Sequence, residues 1–238
     1  MGVMSVGKCL LSIDWDYFIC SRAKGYSYME NSKNMLDIWY KRYFMLKRQG
    51  KDLEGLYSLS QEVGGFWEKI RKKFVIRPLA KVYISDSHAL SYSIAKDNRC
   101  ASVYLFDAHS DLGYGGLNSL NFELNCANWL GKLLKEEIIQ KANIIYSPYT
   151  LERPQDFREI NAKYDVEYMN WDSIPAGIEV SAVHICRSGA WTPPWYDAKF
   201  LKFVWDSGLS NLEFIDFAPR KWDTRNVSLS QRINYMLA

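Results

Sequence analysis

Residues 103–111, Val-Tyr-Leu-Phe-Asp107-Ala-His109-Ser-Asp111, form an apolar, β-prone run that ends in an Asp-x-His-x-Asp comb. Side chains of an extended chain alternate faces with period two, which lets Asp107, His109 and Asp111 point the same way. Carboxylates at the end of a buried strand need something cationic beside them. Two carboxylates with one imidazole suit a hard or borderline divalent metal.

Two further fragments carry the same residue types. In Ile13-Asp14-Trp15-Asp16 an apolar run again ends in carboxylates two apart, and His88 follows the run Lys81-Val-Tyr-Ile-Ser85. Alone, an Asp-x-Asp pair is common in turns, and a single His is more often a helix-start or core residue. Together the three fragments supply four carboxylates and two imidazoles, enough for two metals that share bridging carboxylates, the layout of a two-metal hydrolytic site.

Apolar runs at 9–13, 81–85, 101–106, 143–146, 166–169, 182–185 and 212–215 read as strands. Helical spacing predicts helices over 34–49, with Gly50 as the stop, and over 66–74, 88–96, 123–134, 196–205 and 228–237. This alternation argues for one α/β domain over residues 1–238, with a mainly parallel sheet covered by helices on both faces, a three-layer α/β/α arrangement. Such sheets bind ligands outside the carboxyl ends of their strands, which is where the acidic residues cluster.

Composition narrows the function classes. The chain is 48% hydrophobic and 24% charged, ordinary for a globular protein. A net charge of +3 is too small to argue for nucleic acid, and Lys69-Ile-Arg71-Lys72-Lys73 reads as a solvated helix face. The 9 Trp and 16 Tyr suit either a Trp-rich core or broad amphipathic surfaces able to grip a peptide. Five cysteines without a Cys-x-x-Cys pair read as reduced thiols rather than a disulfide frame. With no signal-peptide layout and no membrane-spanning run, a cytoplasmic protein with no membrane partner is expected.

Ser85-Asp86-Ser87-His88 followed by Phe106-Asp107-Ala108-His109-Ser110-Asp111 resembles the arginase and ureohydrolase pattern. There a Gly-Gly-Asp-His segment precedes Asp-Ala-His-x-Asp by about one βα unit. Ser12-Ile-Asp14-Trp-Asp16 is similar to the third ureohydrolase motif, Ser-Phe-Asp-x-Asp. Ile13-Asp14-Trp15-Asp16-Tyr17-Phe18, Asn125-Cys126-Ala127-Asn128-Trp129, Ile185-Cys186-Arg187-Ser188 and Thr192-Pro193-Pro194 resemble, more narrowly, the arginase-like family that includes the peptide arginases. Those enzymes convert arginine side chains of ribosomal precursor peptides into ornithine. Two departures stand out. The Asp-x-Asp motif lies before the Asp-Ala-His-x-Asp motif instead of after it, and the usual closing Asp-Pro is missing.

The resemblance implies an arginase/deacetylase-like fold with a permuted strand order. It also implies two manganese ions (Mn2+) bridged by Asp107 and Asp14. His88 and Asp111 would complete one ion's shell, and His109 and Asp16 the other's. Asp111 is the implied catalytic residue, holding the nucleophile and passing its proton to the leaving amine, with urea and ornithine as products. The partner implied is an arginine-containing precursor peptide. The alternatives are a free guanidino substrate such as arginine or agmatine, and a non-catalytic metal- or peptide-binding module.

The chain has three histidines and no His-His pair, which disfavours deacetylase chemistry. His184 reads as a core histidine, with proton shuttling or support of a metal ligand as its other reading. Guanidinium recognition needs a further carboxylate or carbonyl set, for which Glu123, Asp86, Asp172 and Asp197 are candidates. Asp86 has a second reading, as a support for the metal ligands. Arg187 is left free to bind a peptide carboxylate or carbonyl, and residues 125–129 to wall the pocket.

Overall fold

A computed structural model describes residues 8–23 and 35–237; the segment before Lys8 and the expected helix start at Asn34 lie outside these. One sheet draws strands from almost the whole chain. They are β1 (Cys9–Asp14), β4 (Phe74–Ser85), β5 (Ser102–Asp107), β6 (Lys141–Tyr146), β7 (Val166–Tyr168), β8 (Ile178–Cys186) and β9 (Leu212–Phe214). Their order is β7-β6-β5-β1-β8-β4-β9, and every pairing is parallel. A short antiparallel pair, β2 (Ile19–Ser21) with β3 (Tyr57–Leu59), stands apart from it.

Parallel strands need crossovers, and the helices that provide them cover both faces. On one face Leu11 and Ile13 of β1, Phe106 of β5 and Val183 and Ile185 of β8 meet α1 (Met35–Arg48), α2 (Phe66–Lys73) and α6 (Asp197–Asp206). On the other, Leu10, Val103, Leu105 and Ala182 meet α3 (Leu90–Asp97), α4 (Trp129–Lys135) and α5 (Arg158–Lys163). The period-two alternation therefore turns Ser12 and His184 toward the α3 side. A last helix, α7 (Leu229–Leu237), packs on α1. The three-layer α/β/α arrangement with a parallel sheet is thus observed. No helix among the described residues is long and apolar enough to cross a membrane.

Register sets the functional end. Asp14 lies opposite Cys186, which lies opposite Ser85, and Ile13 lies opposite Phe106, so Asp14 and Asp107 follow side by side. β8 lies between β1 and β4, so one strand separates the Asp14 end, and two strands the Asp107 end, from β4, which leads into the turn that carries His88.

Three expectations differ from the structure. Strand β5 ends at Asp107, so the comb's last four residues form a loop and do not converge by strand alternation. The helix expected from residue 123 begins only at Trp129. Asn128 Oδ1 accepts from the Asn125 amide (2.9 Å) and Asn125 Oδ1 from the Ala127 amide (2.9 Å), local bonds that replace helical ones. β4 starts at Phe74, earlier than expected, because Phe74 and Ile76 also pair with β8 across an irregularity that contains Pro78. The helix stop at Gly50 is observed, with φ +67°.

The face bearing α2 is held by aromatic packing. Phe66 is 1% exposed and meets Tyr17, Phe18, Phe106, Trp171 and Phe203 at centroid distances of 5.0–5.9 Å. Burial of such a side chain contributes about 1.5–3 kcal/mol, and truncation also leaves a cavity. Phe66→Ala is expected to lower unfolding free energy by about 3–5 kcal/mol, measured by urea denaturation.

Candidate metal centre

Asp14 ends β1, and its Oδ1 accepts from the Asp16 amide (2.9 Å), which starts the tight turn Trp15–Phe18 and folds Asp16 back over the strand end. Asp16 Oδ1 in turn accepts from the Ala108 amide (3.1 Å), tying the ends of β1 and β5 together. Asp107 does the same within its own loop, accepting from the His109 amide (2.8 Å). Asp111 sits in the left-handed region, φ +52°, rare for a residue with a side chain. Its carbonyl accepts from the amides of Leu130 (3.1 Å) and Gly131 (3.3 Å), and its Oδ2 from Trp129 Nε1 (2.5 Å). α4 approaches this closely because residue 131 is glycine: a Cβ there would collide with the Leu112 carbonyl.

The six residues singled out by the sequence converge in two groups. Around His88 Nδ1 stand Asp14 Oδ2 (3.1 Å), Asp107 Oδ2 (3.0 Å) and Asp111 Oδ2 (2.9 Å). Around His109 Nδ1 stand Asp16 Oδ2 (2.9 Å) and Asp107 Oδ1 (3.5 Å). Asp107 directs one oxygen into each group. All are buried except His109, whose side chain is 36% exposed and opens the site to solvent.

Hydrogen bonding does not account for the first group. A ring N–H donates along one direction in its plane, whereas three carboxylate oxygens surround His88 Nδ1. Both His88 Nδ1 and Asp107 Oδ2 are buried without a hydrogen-bond partner, although they lie 3.0 Å apart. Donor atoms separated by about 3 Å are what an octahedral cation with bonds near 2.1 Å requires of its ligands. The triads Asp14, His88, Asp107 and Asp16, Asp107, His109 can each hold a metal ion.

Electrostatics agree. Burial raises the Asp107 carboxyl well above its ordinary range, and the neighbouring Asp16, Asp111 and Asp14 push it further. Burial and Asp16 likewise raise Asp14. Burial disfavours the charged form of His88, but the carboxylates of Asp107, Asp111 and Asp14 outweigh it and hold the imidazole well above its usual pKa. His109 is raised in the same way by Asp16 and Asp107, against burial. Asp16 is lowered: His109 overcomes its burial. Without a cation, the cluster retains protons.

Several neighbours support these side chains. Ser188 Oγ donates to Asp14 Oδ2, and the Trp129 ring lies 5.0 Å from that of His88. Trp191 flanks His109 at 5.8 Å. Sequence reading missed Glu152, in the loop after β6. It accepts from the Ser110 amide (2.9 Å), from Tyr146 Oη (3.1 Å) and from Tyr114 Oη. Burial raises its pKa, against Tyr114 and the nearby His109, which lower it. Its position after a carboxyl strand end was the one available signal.

The four acids named for guanidinium recognition lie elsewhere. Arg187 grips Asp86 through Nε (2.5 Å) and Nη2 (2.7 Å) and reaches Asp197 through Nη1 (2.9 Å); Arg220 Nε also binds Asp197 (3.1 Å). Glu123 and Asp172 are exposed, outside both groups. Arg187, expected to be available to a peptide, is 1% exposed and spent on this lattice, because a buried guanidinium needs carboxylates around it. Of residues 125–129, Trp129 reaches Asp111, Asn125 and Asn128 serve in local bonds ahead of α4, and Asn125 is exposed.

A metal entering these groups must displace protons from His88 and His109, whose pKa values are raised. Divalent-metal affinity is therefore expected to rise with pH up to those raised pKa values. Calorimetry in buffers of different ionisation enthalpy should register proton release on binding; binding that is independent of pH would contradict this. Set beside protein-family models, curated proteins and solved structures, the chain has no match.

Proposed function

We propose that this protein is a binuclear manganese hydrolase that converts arginine side chains of a precursor peptide to ornithine with release of urea. The observation that carries the reading is the split carboxylate of Asp107, one oxygen toward His88 and one toward His109, with His88 Nδ1 and Asp107 Oδ2 unpartnered. Asp107 would hold both ions, with Asp14, His88 and Asp111 on one side and His109 and Asp16 on the other. A set of carboxylates and imidazoles without thiolate favours manganese. Paired divalent ions, when bound there, would supply water that ionises near neutral pH.

The chain's own residues do the rest. Asp111, fixed by Trp129 Nε1 and by α4, takes the proton of the attacking water and delivers it to the leaving nitrogen. Water oxygen bonds to the guanidinium carbon, the bond from that carbon to the chain nitrogen breaks, and the hydroxyl left on the carbon gives up its proton to the amine, so that urea and the ornithine ammonium are formed. Glu152 offers a carboxylate beside the site for the cationic group. A peptide substrate is supported by the exposed Tyr114, Tyr149 and Leu151, apolar side chains on the loops that carry or meet Glu152.

The test is to incubate manganese-loaded protein with an arginine-containing precursor peptide and, separately, with free arginine. Urea release with loss of the elements of cyanamide from the peptide is expected, and Asp107→Asn should abolish both. Urea from free arginine alone would overturn the peptide assignment, and none from either would overturn the enzymatic one. Glu152→Gln should lower kcat/KM by about 10- to 100-fold, the worth of a hydrogen bond between charged groups, with kcat less affected.

A further inference from the structure

His184, in the middle of β8, is fully buried, and the reading above gives it no task. It belongs to a line of polar groups drawn from four elements. Ser85 Oγ lies 2.7 Å from His184 Nε2, and Ser91 Oγ 2.6 Å from His184 Nδ1. Ser91 Oγ lies 2.9 Å from Ser12 Oγ, which lies 2.8 Å from His88 Nε2. Every member is at most 1% exposed.

The direction of this line follows from its far end. Ser85 Oγ donates to the carbonyl of Ser87 (2.9 Å), a group that can only accept. That uses Ser85's single proton, so at its contact with His184 the hydroxyl accepts and Nε2 carries hydrogen. His184 is fully buried and both its ring nitrogens face serine hydroxyls rather than carboxylates, so no counter-charge supports an imidazolium; with hydrogen on Nε2, its Nδ1 is bare. Ser91 therefore donates to Nδ1 and accepts from Ser12. Ser12, its proton spent on Ser91, accepts from His88 Nε2. His88 thus carries hydrogen on Nε2, and its other nitrogen is the one turned to Asp14, Asp107 and Asp111.

We infer that His184, acting through Ser91 and Ser12, is a positioning residue that selects the metal-binding tautomer of His88, an inference that rests on the metal-site reading above. A metal-bound histidine needs its second nitrogen to donate, and the usual partner is a carboxylate or carbonyl, which cannot do otherwise. Here the partner is a serine hydroxyl, which can donate as readily as accept. Ser12 alone would leave the choice open. The neutral histidine and the Ser87 carbonyl close it.

The test combines a spectrum with a titration. In chelator-treated protein labelled with 15N-histidine, long-range proton–nitrogen correlation should show His184 neutral, with its proton on Nε2 and Nδ1 bare. In Ser91→Ala, Ser12 is free to donate to His88 Nε2, and manganese affinity by calorimetry should fall about 10- to 100-fold, while Ser91→Thr restores most of it. A proton on His184 Nδ1, or undiminished affinity in a folded Ser91→Ala, would overturn the inference. If the unaltered protein binds no manganese, the metal reading falls, and the spectrum of the metal-free protein still decides the direction of the line.

Discussion

The carboxylate of Asp107 is the constraint on which the site depends. It ends a central strand, is fully buried, and faces an imidazole with each oxygen. Four buried carboxylates this close cannot all ionise unless cations compensate them. Protons or metal ions must therefore occupy the space between them. The surrounding structure reads as a set of devices that keep the carboxylates from moving apart. Asp16 is anchored to the Ala108 amide, Asp14 is held by Ser188 and the Asp16 amide, and Asp111 is pinned by α4 and Trp129.

Strand order supplies the rest. With β8 between β1 and β4, the carboxyl end of β8 delivers Ser188 to Asp14 and Arg187 to Asp86. The Arg187–Asp86 pair, with the Ala218 amide on Asp86 (3.1 Å), fixes the turn that leads from β4 to His88. Removing one partner of so buried a pair leaves an uncompensated charge, so the turn tolerates little change there. Function and stability meet at this turn, since its shift would carry His88 out of the group.

Much of this was legible before the fold was known, for identifiable reasons. Asp14, His88 and Asp107 each follow an apolar β-prone run, and strand ends on one side of a parallel sheet meet in space. The convergence of His109 and Asp111 was anticipated for the wrong physical cause: a loop, with Asp111 in a left-handed conformation, does what strand alternation was expected to do. The pair β2 and β3, three residues each, is too short for any periodicity. Glu152 is a lone acid with no spacing partner, and its role rests on Ser110, Tyr114 and Tyr146 from other segments. The His184 line takes groups from four elements, a juxtaposition that only the folded chain creates.

The most direct measurement is a crystal of the chain soaked in manganese, with diffraction recorded at an energy where manganese scatters anomalously. Two anomalous peaks flanking Asp107 are expected, one beside His88 Nδ1 and one beside His109 Nδ1. A cluster empty of anomalous signal at saturating manganese, or a single peak that persists unchanged in Asp107→Asn, would contradict a two-metal site.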